Sequence, residues 1–143
     1  SSTFWTERIG PAAALKTLEV MEREKSWEII TAIGKEIRNG WQTLADCHNL
    51  EISHFGILPL ASFAFKSDNH LKYKTLISQE MLKKGYLASN ICYACTSHKK
   101  EDIKLYFEKL DEVFSLIAKC ESEDSIDAYL EFPVCHGGFK RLN

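Results

Sequence analysis

The chain has 143 residues, of which 45% are apolar and 27% charged, and its formal net charge is −2. Those proportions suit one globular domain with a sizeable core. They exclude a strong field toward nucleic acid or anionic lipid, and no apolar run is long enough to span a bilayer. Neither nucleic acid nor membrane is therefore expected as a partner. With no secretory leader in view, a cytoplasmic location is expected, and the odd count of five cysteines fits free thiols there.

Gly10-Pro11 marks a boundary, because proline suits the first turn of a helix and glycine the turn before it. From Pro11 the pattern is helical, with Ala14, Leu15, Leu18 and Met21 recurring at spacings of three and four. "EREKS" interrupts it, so one kinked helix or two helices meet near Arg23–Ser26. Ser26 is a candidate cap for the second part, where Ile30, Ile33, Ile37, Trp41 and Leu44 form one stripe. Gly34 and Gly40 weaken that part by propensity without breaking the stripe.

"EISHFGILPLASFAFKS" is rich in β-formers and broken at Gly56 and Pro59, which predicts a strand pair with Pro59 at a strand end. A helix comes next in "SDNHLKYKTLISQEMLKKG", capped by Asp68 or Asn69, with Leu76, Ile77 and Met81 inward and Gly85 ending it. "YLASNICYACTS" reads as a third strand. "EDIKLYFEKLDEVFSLIAK" is the clearest helix, with Ile103, Phe107, Leu110, Phe114 and Ile117 on one face. A short helical piece around Ile126–Leu130 precedes the tail "EFPVCHGGFKRLN". The order α-(α)-β-β-α-β-α predicts an α+β two-layer sandwich, a small antiparallel sheet of about three strands with helices on one face.

Three chemistries can be weighed on these residues. Cys92-x2-Cys95-x2-His98 offers a zinc-stabilised domain, with Cys135-His136 to complete a tetrahedral set. In a straight strand, however, Cys92 and Cys95 point to opposite faces. A thiol–imidazole dyad needs more than the sequence neighbours Cys47-His48 and Cys135-His136, and no G-x-S-x-G elbow or phosphate loop is present. A Schiff-base lysine needs desolvation or a cationic neighbour. Lys66, Lys72, Lys74, Lys83, Lys84, Lys99, Lys100, Lys104, Lys109 and Lys119 all lie in turns or helices beside other charges. Taken from its parts alone, the chain is not a complete catalyst.

The order of three stretches carries a resemblance. "STFWTERIGPAAALKTLE" stands where one enzyme family has Gly-Thr-x-x-Gly-Asn-Pro followed by an alanine-rich helix. "MLKKGYLASN" through "TSHKKEDIKLYFEKLDEVFSLI" is similar to the family's Gly-x-x-hydrophobic run, a histidine and an acidic helix start. "LEFPVCHGGFKRLN" is like its closing tail. In this order the chain resembles the C-terminal small domain of class III (fold type I) pyridoxal-phosphate-dependent aminotransferases, glutamate-1-semialdehyde 2,1-aminomutase-like, along nearly its whole length.

The resemblance implies that Thr3, with Ser2 beside it, reaches the phosphate of the pyridoxal 5'-phosphate held by the neighbouring subunit of a homodimer. Short hydroxyls suit that role as donors to a phosphate oxygen. It implies that the Schiff-base lysine, the aspartate on the pyridine nitrogen and the stacking ring belong to a large domain outside this chain. Residues 1–25 are then a cofactor-phosphate loop and connecting helix from the large domain, and residues 26–143 the small domain. On this reading the chain is inactive alone and holds no cofactor by itself. The parent is a transaminase or aminomutase that moves an amino group on a small substrate.

Two departures stand out. Trp5-Thr6-Glu7-Arg8 replaces the family's Ser-Gly-Asn-Pro, so another amino donor or acceptor fits equally, and Glu7 and Arg8 become candidates for substrate contact or a loop salt bridge. Lys99 replaces a threonine cap of the last long helix, leaving Ser97 or His98 to take over. A self-standing interaction module, using an exposed apolar face, is the alternative to the fragment reading. The helix over Ala12–Met21 discriminates between the two, since a helix belonging to a large domain gains little support from the rest of this chain.

Overall fold

The structure, a computed structural model, describes residues 6–138. Its elements are α1 (Ile9–Glu24), α2 (Ser26–Cys47), β1 (Ile52–Phe55), β2 (Leu60–Phe65), α3 (His70–Lys83), β3 (Ile91–Tyr93) and α4 (Lys100–Glu123), then a 3-10 turn at Ile126–Ala128. The strands form one antiparallel sheet in the order β1-β2-β3. This is the α+β two-layer sandwich that the alternation of patterns predicts.

Burial alternates along β2: Ala61, Phe63 and Phe65 are buried, while Leu60, Ser62 and Ala64 are only partly covered. The buried side meets α2, α3 and α4. Trp41 lies on Phe63 with ring centroids 4.8 Å apart, and Phe65 packs edge-on against Tyr73 at 5.5 Å. Ile103, Leu110, Val113, Phe114, Ile117 and Cys120 of α4 complete this core. Each large apolar side chain so buried contributes about 1.5–3 kcal/mol relative to exposure. The opposite sheet face carries no helix among the described residues and leaves Phe55 and Tyr93 exposed.

The α1–α2 junction is a break between two helices rather than a kink. Lys25 adopts a left-handed conformation (φ 48°, ψ 46°), which ends α1 and turns the chain into α2. Ser26 is not the cap but the first residue of α2, and no side chain caps that end. The turn is closed by backbone instead, Glu28 N–H donating to the Lys25 carbonyl at 2.9 Å.

The other helix ends also differ in detail from expectation. α1 starts at Ile9, two residues before Pro11, because Glu7 serves the first amides: Oε1 accepts Ile9 N–H at 2.7 Å and Oε2 accepts Gly10 N–H at 3.0 Å. Pro11 has no N–H, and Ala12 begins the helical ladder by donating to the Arg8 carbonyl. At α3, Asn69 holds the cap position without a side-chain bond, and it is the Ser67 hydroxyl that accepts an amide proton, from Asn69. Gly85 (φ 86°) closes α3 as expected. Its N–H donates to the Leu82 carbonyl and that of Tyr86 to the Met81 carbonyl, the paired bonds of a Schellman end.

Two glycines do more than weaken α2. A Cβ on Gly34 would fall 1.8 Å from the Leu58 carbonyl oxygen, and one on Gly40 would fall 2.2 Å from Cζ of Phe107. Their absent side chains let α2 approach the hairpin loop and α4. Phe107 lies over Gly40 half-buried, at the margin of its helix's apolar stripe.

Candidate functional site

Ser2 and Thr3, the positions that the resemblance assigns to a cofactor phosphate, lie outside the described residues. Glu7 and Arg8, next along the chain, lie within them. Glu7 spends both carboxylate oxygens on the amides of Ile9 and Gly10, so it caps a helix rather than reaching toward a substrate or a salt bridge, and Arg8 is exposed.

None of α1 is buried. Ile9, Leu15 and Leu18 are 78%, 66% and 61% exposed, an apolar surface that the other described residues do not cover. α2, by contrast, buries Gly34, Ile37, Trp41 and Ala45. The two helices share similar apolar spacing, and among the described residues only the second buries it.

The zinc alternative fails on geometry. Among the described residues, no group of three histidine, cysteine, aspartate or glutamate side chains could hold a metal ion. Cys92 faces the helix-covered side of the sheet, opposite Ala61, while Cys95 is exposed beyond the strand end. His98 directs Nδ1 to the Cys95 N–H at 3.3 Å, which occupies one of its two ligating atoms. Burial pushes the Cys92 thiol up, away from the thiolate that a metal or a nucleophilic role requires.

Three further histidines serve the fold, and His136 is exposed. His48 Nε2 meets Asp111 Oδ1 at 2.8 Å, and Nδ1 of His70 lies 3.2 Å from the Ser67 carbonyl. His54 Nε2 lies 3.0 Å from Oε1 of Gln42, and its Nδ1 is buried without a partner among the described residues. Burial and, to a lesser degree, the Arg38 charge hold His54 below its usual range.

No described lysine occupies the desolvated site that Schiff-base chemistry needs. Lys66 pairs with Glu51, Lys72 with Asp127, and Lys84 with Glu112. Lys83 sits between Glu131 at 2.6 Å and Glu80 at 2.7 Å, and their hydrogen bonds raise its pKa. A nucleophilic amine requires the opposite shift. None of these four lysines is therefore the free amine that would anchor pyridoxal phosphate. At α4, the cap expected from Ser97 or His98 comes from neither. Asp102 Oδ2 accepts the Lys99 N–H at 3.4 Å, one half of a capping box.

Sequence reasoning also missed groups joined across long stretches of chain. The buried Gln79 donates to the Tyr129 carbonyl at 2.9 Å and accepts the Glu131 N–H at 2.8 Å, strapping the segment after α4 onto α3. Tyr73 donates to Glu121, which also accepts from Ser67. Trp41 Nε1 donates to the Tyr106 hydroxyl at 2.9 Å, joining α2 to α4. Only a polar residue at a core-facing position could have signalled these bonds.

Comparison with known proteins sets this geometry beside that of enzymes. No family model matches the chain. It is 25% identical over 127 residues to a 3-aminobutyryl-CoA aminotransferase of Cloacimonas acidaminovorans, covering 83% of this chain and 30% of that protein. It is 22% identical over 121 residues to an aminopentol aminotransferase of Sphingopyxis macrogoltabida, covering 83% and 29%. The fold is similar to part of the FumI protein of Sphingopyxis sp. MTA144, solved in its PLP internal aldimine form, with a TM-score of 0.68 at 22% identity over 78% of this chain and 27% of that one. The chain thus spans about 30% of the length of the curated relatives it matches.

Proposed function

We propose that this chain is the small, C-terminal-type domain of a pyridoxal-phosphate-dependent aminotransferase, related to the glutamate-1-semialdehyde aminomutase branch. The observation that carries this reading is the match of four-fifths of the chain to under a third of two aminotransferases. The uncovered apolar surface of α1 supports it, since a helix that buries nothing here is suited to burying its apolar side chains against a larger body. On this reading residues 1–25 belong with the large domain and residues 26–143 form the small one. Thr3 and Ser2 donate to the phosphate of the cofactor held by the other subunit of a cytoplasmic homodimer. The large domain supplies the lysine that anchors the cofactor. The substrate is a small amino compound.

The test is borohydride trapping of pyridoxal phosphate, followed by mass analysis, on the chain alone and mixed with the polypeptide encoded upstream of it. The chain alone should yield no lysine-specific adduct, and the mixture should yield one on the upstream polypeptide. Thr3→Ala should weaken cofactor retention in the mixture about tenfold, the scale of one hydrogen bond to a charged group. A single specific adduct on a lysine of this chain overturns the assignment of the anchoring lysine. No adduct in the mixture overturns the aminotransferase reading and leaves the interaction module, which the uncovered sheet face around Phe55 and Tyr93 favours.

A further inference from the structure

A cavity of about 370 Å³ opens between β3, the segment at 86–88 and the first turns of α4. That volume lies within the range of small-molecule sites. Tyr86, Ala88, Ile91 and Ile103 give it largely apolar walls, and Cys92 and Tyr106 are among the polar residues that line it.

The Tyr106 hydroxyl accepts the Trp41 indole proton at 2.9 Å, and this is its only hydrogen bond among the described residues. A phenol has one proton of its own to donate, and among the described residues no atom takes it. Burial pushes the Tyr106 phenol up, so that proton stays in place. The Cys92 sulfur is a weak acceptor and takes no hydrogen bond from Tyr106 among the described residues. A buried donor without an acceptor is costly, and a bound molecule that supplies the acceptor recovers that cost.

The rim narrows the ligand class further. Asp102 places a carboxylate at the mouth, which disfavours an anion, while its Oδ2 is already engaged by the Lys99 amide. His98 accepts the Cys95 amide at Nδ1, which leaves Nε2 as the nitrogen that can face a ligand. Asp102 is the only carboxylate among the lining residues and one of its oxygens is already engaged, so a desolvated cation would find a single partner there.

We propose that this cavity binds a small, neutral, largely apolar molecule whose carbonyl oxygen, or an equivalent acceptor, takes the Tyr106 hydroxyl proton. The site does not depend on the aminotransferase likeness, and a cofactor-trapping result of either sign leaves it standing.

Acetophenone and α-methylstyrene share one shape and differ in C=O against C=CH2, so the pair isolates the acceptor. Titrated by ligand-observed NMR into the 143-residue chain, acetophenone should bind about three- to tenfold more tightly, the scale of one neutral hydrogen bond. Tyr106→Phe should bring the two affinities together, and Ala88→Phe, which fills the cavity from its wall, should abolish both. Circular dichroism establishes that each variant folds. If one does not, the probe pair on the unaltered chain decides alone. Equal affinities in the unaltered chain, a preference that survives Tyr106→Phe, undiminished binding by Ala88→Phe, or no saturable binding of either probe overturns the proposal.

Discussion

Gly34 faces the Leu58 carbonyl so closely that a Cβ would sit 1.8 Å from its oxygen and 2.5 Å from its carbon. Both contacts are with backbone, which cannot swing aside as a side chain can. Gly34→Ala should therefore destabilise the chain by about 2 kcal/mol or more, despite alanine's helix propensity advantage of about 1 kcal/mol. Gly10→Ala, where the nearest atom lies at 3.6 Å, should be neutral or stabilising. Urea unfolding of the pair checks the contrast, and a stabilised Gly34→Ala would mean that α2 and the loop are not in contact.

Gly40 offers a graded comparison. Its neighbour is the ring of Phe107, a side chain that is only half-buried and can rotate outward. Gly40→Ala should cost less than Gly34→Ala, and combining it with Phe107→Leu should recover part of the loss. A double-mutant cycle in urea measures that coupling.

Tyr106→Phe removes the acceptor of the Trp41 indole proton in a residue with no solvent exposure. An unpaired buried donor costs about 1–3 kcal/mol, within the margin of a domain of this size. The variant should fold with a lowered urea midpoint and an unchanged slope.

His54 makes stability depend on pH. Burial and the Arg38 charge lower its pKa in the folded chain below the ordinary histidine value of 6.5. As pH falls through 6.5 the unfolded chain takes up this proton before the folded one does. This contribution to stability is therefore present at neutral pH and is lost as the pH falls toward the folded pKa. His54→Gln, which can still donate to Gln42, should flatten this part of the profile. Unfolding midpoints of the two proteins between neutral and mildly acidic pH test it, and parallel profiles would contradict it.

Leu15→Ala and Leu18→Ala in α1 should change the stability of this chain by less than about 0.5 kcal/mol, because neither side chain is buried. Ile117→Ala in α4, at a position with no exposure, should cost about 2–5 kcal/mol. Thermal unfolding of the three variants separates the helix that supports this core from the helix that does not.

Features that depend on neighbours along the chain were legible in the sequence. The α4 stripe from Ile103 to Ile117, the strand pair around Gly56 and Pro59 and the Gly85 helix end are all local patterns, and all appear in the fold. The caps were harder, because several side chains near each end could serve and geometry chose Glu7 at α1 and Asp102 at α4. Gly34 and Gly40 were read by propensity alone, since their partners lie far along the chain and only packing brings them close. The same holds for Trp41 with Tyr106 and for Gln79 with the segment after α4. Cys92, Cys95 and His98 looked like a metal set only while their backbone was unknown.

The sheet order carries a kinetic consequence. β1 reaches β2 through a short loop and pairs over four residues, whereas β3 returns to β2 only after the whole of α3 and pairs over three. Closing the longer connection costs more chain entropy, and fewer ladder bonds repay it. β3 is thus the strand expected to detach first in native-state openings, with amide exchange at Ile91–Tyr93 running ahead of that in β2. Those residues also form one wall of the cavity beside Tyr106, so that wall is expected to loosen before the aromatic core under Trp41 does.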